Sequence, residues 1–187
     1  MKVTHAMLSS ALVLAMFAPA AAKTISVPSG AFVYATSNSA ISSKTAYQGE
    51  VFSLTVQSPY PNGSSVFSRA KLYARVVEAR KAGQGVKPQL SFVVDKIVLA
   101  NGASNIVYAN LVSVEQNKKN NTGTIALEAL GGMIAGNIIG KWLGTNIGGA
   151  VGLTAAVLYG INSKTDVTIP VNGKAKFQLT RALTLGY

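Results

Sequence analysis

Leu90-Ser91-Phe92-Val93-Val94-Asp95-Lys96-Ile97-Val98-Leu99-Ala100-Asn101-Gly102 is the stretch that decides the fold class. Leu90, Phe92, Val94 and Lys96 share one parity, and Ser91, Val93, Asp95 and Ile97 the other. β-Branched and aromatic residues in a run of this length predict a strand. Both parities are partly apolar, as expected of a strand closed into a barrel or sandwiched between layers. Asn101-Gly102 supplies the hairpin-type turn that ends it.

Working outward, the same character recurs on both sides. Upstream, Lys71 to Glu78 places Leu72, Ala74 and Val76 on one side and Lys71, Tyr73, Arg75 and Val77 on the other. Glu50 to Val56 alternates, Ala31 to Tyr34 follows the turn Val27-Pro28-Ser29-Gly30, and Pro59 to Gly63 is a break. Downstream, Ile106 to Glu115, Thr165 to Ile169 and Lys174 to Leu183 are strand-like. The predicted fold is mostly β: a compact β-barrel, or sandwich-like core, occupying 23–187 as one domain. Ahead of it, Lys2 precedes an apolar run from Ala6 to Phe17, then Ala20-Ala21-Ala22 before Lys23. A basic start, a run of about 12 apolar residues and a small-residue cut define a secretory signal peptide over 1–22; a spanning helix needs about 20.

From 124 to 160 the sequence changes register. Glu128 and Lys141 are its only charged residues, and Gly132, Gly136, Gly140, Gly144, Gly148, Gly152, Ala156 and Gly160 recur every fourth position. Four-residue spacing lines small residues along one helical face and permits close helix approach. The expectation is an inserted helical hairpin, about 125–143 and 149–160, that packs against copies of itself and contacts or crosses a membrane.

The order of motifs resembles the C-terminal β-barrel domain of TrbI-type conjugal transfer proteins, the channel-forming subunits of type IV secretion. The resemblance rests on Val27-Pro28-Ser29-Gly30, Gly49-Glu50-Val51-Phe52, Pro61-Asn62-Gly63, Leu72 to Glu78, Leu90 to Gly102, Gly132 to Gly160 as the inserted hairpin, and Ile169 to Leu179. It implies a ring-forming barrel whose inserted helices line an outer-membrane pore. Those proteins also carry a cytoplasmic tail, an inner-membrane helix and a proline-rich linker, where this chain has the signal-like segment. The expectation is a stand-alone relative in the periplasm or outer membrane of a Gram-negative-type cell. It would be a non-enzymatic component of an envelope assembly, with homo-oligomers and other envelope proteins as partners. The alternative is a soluble periplasmic binding module with a basic surface and an intramolecularly packed hairpin. A lipid-embedded barrel is a further rival, disfavoured by the lack of clean apolar alternation over Lys71–Glu78.

Composition narrows the chemistry. There is no cysteine, and the one histidine, His5, lies in the signal segment. Thiolate, disulfide and imidazole chemistry are therefore excluded, and no catalytic residue, cofactor or metal is expected. Glu50, Glu78, Asp95, Glu115, Glu128 and Asp166 are the only carboxylates, and no two form a recognisable acid–base pair. Gly83-Gln84-Gly85 lacks the helix that a phosphate-binding loop requires. Net charge is +11 with only 12% of residues charged, against about 25% in an ordinary soluble domain. Arg69, Lys71, Arg75, Arg80, Lys81 and Lys87 form the candidate basic surface. With Tyr73 beside them, nucleic acid is a conceivable partner, but export favours a solvated face or an anionic envelope surface. No small-molecule substrate is implied.

Overall fold

In the computed structural model, residues 23–83, 85–118, 121–126, 156–160 and 164–187 are described. Strands form at β1 (Thr24–Val27), β2 (Phe32–Ser37), β3 (Ile41–Ser42), β4 (Val51–Gln57), β5 (Lys71–Arg80), β6 (Gln89–Val98), β7 (Ser104–Ile106), β8 (Ala109–Lys118), β9 (Asn121–Ala126), β10 (Ala156–Tyr159), β11 (Thr168–Ile169), β12 (Lys174–Leu179) and β13 (Leu183–Gly186). The class is mostly β, and no helix of seven residues or more occurs among the described residues.

The main sheet runs β10-β6-β5-β4-β2-β12-β8-β9, with antiparallel neighbours throughout, and curls into a half-barrel. β7 pairs with the second half of β6, beyond the part that β10 occupies. Two short ribbons, β1–β13 and β3–β11, complete the enclosure. They bring Val27, Leu183 and Leu185, and Ile41 and Ile169, into the same hydrophobic core as the sheet's inner face.

Period-two alternation places that core. Leu72, Ala74 and Val76 of β5 are buried, as are Phe52, Leu54 and Val56 of β4 and Leu90, Phe92 and Val94 of β6. Ala74 is paired with Phe52 on one side and Val94 on the other. Its small side chain leaves room above β5 for the Phe52 and Phe92 rings to meet edge to face, with centroids 5.2 Å apart. The first half of β6 is buried on both faces, since Gln89, Ser91 and Val93 are also covered.

Two irregularities in the β5–β6 ladder shift side chains that strict alternation would misplace. Between Tyr73 and Ala74 the register skips Asp95, and between Val76 and Glu78 it skips Val77. An extra residue in one strand of a pair re-aims its neighbours. The second shift puts Glu78 opposite Ser91, on the face away from the core, where strict alternation from Leu72 would have turned a carboxylate inward.

Asp166 fastens three separate segments. Its Oδ1 accepts hydrogen bonds from Ser43 Oγ at 3.1 Å and from the Ala82 backbone N–H at 2.8 Å. Ser43 Oγ in turn accepts from the Val167 N–H. Hydrogen bonds to a charged group contribute about 1.5–3 kcal/mol. Asp166→Ala is therefore expected to destabilise the protein by roughly 2 kcal/mol, read as a lowered urea midpoint with unchanged slope.

The sequence expectation for 124–160 is corrected at both ends. Thr124-Ile125-Ala126 belongs to β9, paired with Ser113 to Glu115. Ala156 to Tyr159 is β10, paired with Gln89 to Phe92. Ala156 is thus a strand residue opposite Phe92, not a member of a helical stripe. Gly160 follows the strand, and its N–H donates to Pro88 O at 2.9 Å. An edge strand that buries Ala156, Val157 and Leu158 overrides the helical reading of these residues. Gly132, Gly136, Gly140, Gly144, Gly148 and Gly152, and most of both expected helices, lie outside the described residues, as does segment 1–22. Among the described residues no helix is long and apolar enough to cross a membrane.

Candidate anion-binding face

Extended geometry divides the basic cluster expected between 69 and 87. A strand advances about 3.3 Å per residue, so Lys71 and Arg80, the two ends of the strand, stand roughly 30 Å apart. Arg69, in a left-handed turn conformation at φ 62°, and Lys71 lie at the start of β5. Lys81 and Lys87 are exposed in the loop beyond its far end. Between them, Arg75 donates from Nε (3.0 Å) and Nη2 to Oδ2 of Asp95, an ion pair on the outer face. Asp95 shares the parity of Val93, the residue opposite Arg75, and the register shift leaves it without a ladder partner of its own. Arg80 is tied down by the chain: Nε donates to Lys87 O at 3.2 Å, and Nη2 to Gln89 Oε1 at 3.0 Å. Gln89 Nε2 donates to Glu78 Oε2 and to Ser91 Oγ, completing a small, partly buried network. The six residues are therefore not one patch.

A different set of cations is gathered by sheet register. Lys71 of β5 faces Thr55 of β4, Thr55 faces Thr36 of β2, and Thr36 faces Lys174 of β12. Beside this row runs Gln57–Tyr34–Lys176–Ser113, across β4, β2, β12 and β8. On the other flank Lys96 of β6 faces Tyr73, and Tyr73 faces Ser53. All these residues point away from the core, and neighbouring strands lie about 4.8 Å apart, so Lys71 and Lys174 are about 14 Å apart.

Two of the lysines lie over rings. Lys176 Nζ is 3.9 Å from the Phe32 centroid and 5.5 Å from that of Tyr34, and Lys96 Nζ is 5.4 Å from that of Tyr73. These contacts hold the ammonium groups along the sheet surface. The polar groups between them bond to one another. Gln57 Nε2 donates to Thr36 Oγ1, Thr55 Oγ1 to Asn38 Oδ1, and Asn38 Nδ2 to Ser53 Oγ.

The described carboxylates are engaged by the fold. Glu50 accepts from the Tyr47 N–H, Glu78 from Gln89, Glu115 from the Lys174 N–H, Asp95 from Arg75, and Asp166 from Ser43 and Ala82. Among the described residues no carboxylate lies within ion-pair distance of Lys71, Lys96, Lys174 or Lys176. Glu115 borders the Lys174 end, its Oε2 accepting from the Lys174 N–H, so the face is net positive with a carboxylate at its rim. Lys96, Lys174 and Lys176 escape a reading along the sequence, because only the strand register brings residues so far apart in the chain together.

No family model matches this chain, and no curated protein matches it.

Proposed function

We propose that the protein is a non-enzymatic component of a cell-envelope assembly, exported through its signal-like segment and carrying a glycine-rich excursion to a membrane. The TrbI-type resemblance is part of this reading: the β core would act as scaffold and the glycine-rich residues as the self-associating element. One observation carries it furthest. β9 and β10, which flank residues 127–155, are the two outermost strands of the sheet order. The chain thus leaves the curled sheet at one margin and re-enters it at the other, where an edge needs covering or pairing. The engagement of the described carboxylates by the fold further favours a scaffold over a catalyst.

Cross-linking and fractionation of envelope protein test this reading. The wild type is expected in the membrane fraction as oligomers, with a mature start at Lys23 or within a few residues of it. Gly140→Leu/Gly144→Leu is expected to abolish the oligomers while raising hydrophobicity, because close approach depends on the missing side chains. A monomer that salt extracts as readily with residues 127–155 as without them would leave the second reading, a soluble periplasmic binding module. The basic outer face is the observation that favours that alternative.

A further inference from the structure

We propose that the outer face of β5, β4, β2 and β12, with Lys96 of β6 at its margin, docks onto an anionic lipid surface, its lysines meeting headgroup phosphates. This goes beyond the reading above, because it needs neither the glycine-rich segment nor an oligomer.

The occupant follows from how the face is built. Its charge is carried by lysine, a compact point charge on a flexible stem, which meets phosphates in variable geometry rather than fixing one orientation. Arg75, whose planar fork would impose orientation, is neutralised by Asp95. The amides and hydroxyls at the centre bond among themselves, so they are not held ready to select one sugar or base. Bases of a single-stranded nucleic acid would need open aromatic faces to stack on. Here the Phe32 and Tyr73 rings each have an ammonium over them. What remains is a band of cations with aromatic rings between them, Phe32 being 40% exposed. Lysine stems and aromatic rings of this kind suit the boundary between headgroups and water. The curl of the sheet makes this face convex, so contact with a flat bilayer runs along the Lys71–Lys174 and Gln57–Lys176 rows.

Vesicle co-sedimentation of the chain from Lys23 to Tyr187 tests the proposal. The probes are phosphatidylcholine vesicles alone and with roughly one-third phosphatidylglycerol, at low and high salt. A salt-sensitive component of binding is expected only with phosphatidylglycerol; binding through the glycine-rich segment would be common to both vesicles and insensitive to salt. Each surface cation contributes roughly five-fold in affinity, so the variant carrying Lys71→Gln, Lys96→Gln, Lys174→Gln and Lys176→Gln should lose on the order of several hundred-fold. Asp95→Asn releases Arg75 and should strengthen binding about five-fold. Circular dichroism establishes that both variants are folded. Gly140→Leu/Gly144→Leu should retain the salt-sensitive binding, which separates this test from that of the oligomer. Wild-type affinity in the four-lysine variant overturns the proposal. So does equal binding to the uncharged vesicles, or tighter binding to single-stranded DNA than to anionic vesicles.

Discussion

Phe92→Ala is expected to remove about 3–5 kcal/mol of folding stability. Phe92 is 1% exposed, on the strand at the centre of the hydrophobic pattern, and its ring meets Phe52 edge to face across Ala74. Truncation forfeits the transfer free energy of a whole ring and leaves a void that the neighbours cannot fill. The strands on either side are held in register by the ladder, and Ala74 between the two rings has no side chain with which to reach in. An ordinary domain has a net stability of only about 5–15 kcal/mol, so a single loss of this size consumes a large part of it. Thermal denaturation should show a melting temperature lower by on the order of 10 °C or more. Ser53→Ala is the matched control. It neighbours Phe52 in sequence but lies on the outer face, where it loses only the exposed hydrogen bond from Asn38, so its effect should stay at about 1 kcal/mol. Equal effects from the two substitutions would contradict the assignment of inner and outer faces.

That assignment was legible in the sequence wherever a strand kept its alternation. Leu72, Ala74 and Val76 turn inward as their spacing requires, and the apolar content of both faces of Leu90–Val94 anticipated burial on both sides. Legibility failed where the ladder breaks step. Val77 and Asp95 are extra residues whose presence is set by the fit between two strands, and neither strand alone announces it. The run Ile106 to Glu115 likewise divides, because β7 pairs with β6 while β8 pairs with β12, and Val107-Tyr108 must carry the chain between them. Lys174 to Leu183 divides in the same way into β12 and β13, which belong to different sheets.

The basic surface shows the same limit more sharply. Residues 69–87 are close in sequence, but an extended strand spreads them over tens of ångströms and the fold ties up Arg75 and Arg80. Lys71 and Lys174 are separated by most of the chain, yet two threonines bridge them in register. Charge spacing along a helix can be read from sequence because neighbours on the surface are three or four residues apart. In a sheet the neighbours come from other strands, and topology must be known first.

Gly160→Ala is expected to cost about 3 kcal/mol, at the upper end of ordinary overpacking penalties. A methyl group there would sit 2.3 Å from Pro88 Cγ, 2.8 Å from Pro88 Cδ and 3.2 Å from Thr165 O. The pyrrolidine ring cannot swing aside as a flexible side chain would, and Pro88 is buried and leads directly into β6. The backbone must therefore separate. Separation at this point breaks the Gly160 N–H to Pro88 O hydrogen bond and pulls at the end of β10, where Tyr159 pairs with Gln89. Leu158, 1% exposed against the same core, is the next residue to feel it. In a helical stripe, alanine for glycine would be a mild change, gaining about 0.8–1 kcal/mol of helix propensity against any loss of close packing. The two assignments thus predict opposite signs for one methyl group. Urea denaturation with hydrogen exchange of the Gly160 amide reads both consequences: a lowered midpoint and loss of protection are expected. A stabilised variant with a protected amide would return Gly160 to the helical stripe and detach β10 from β6.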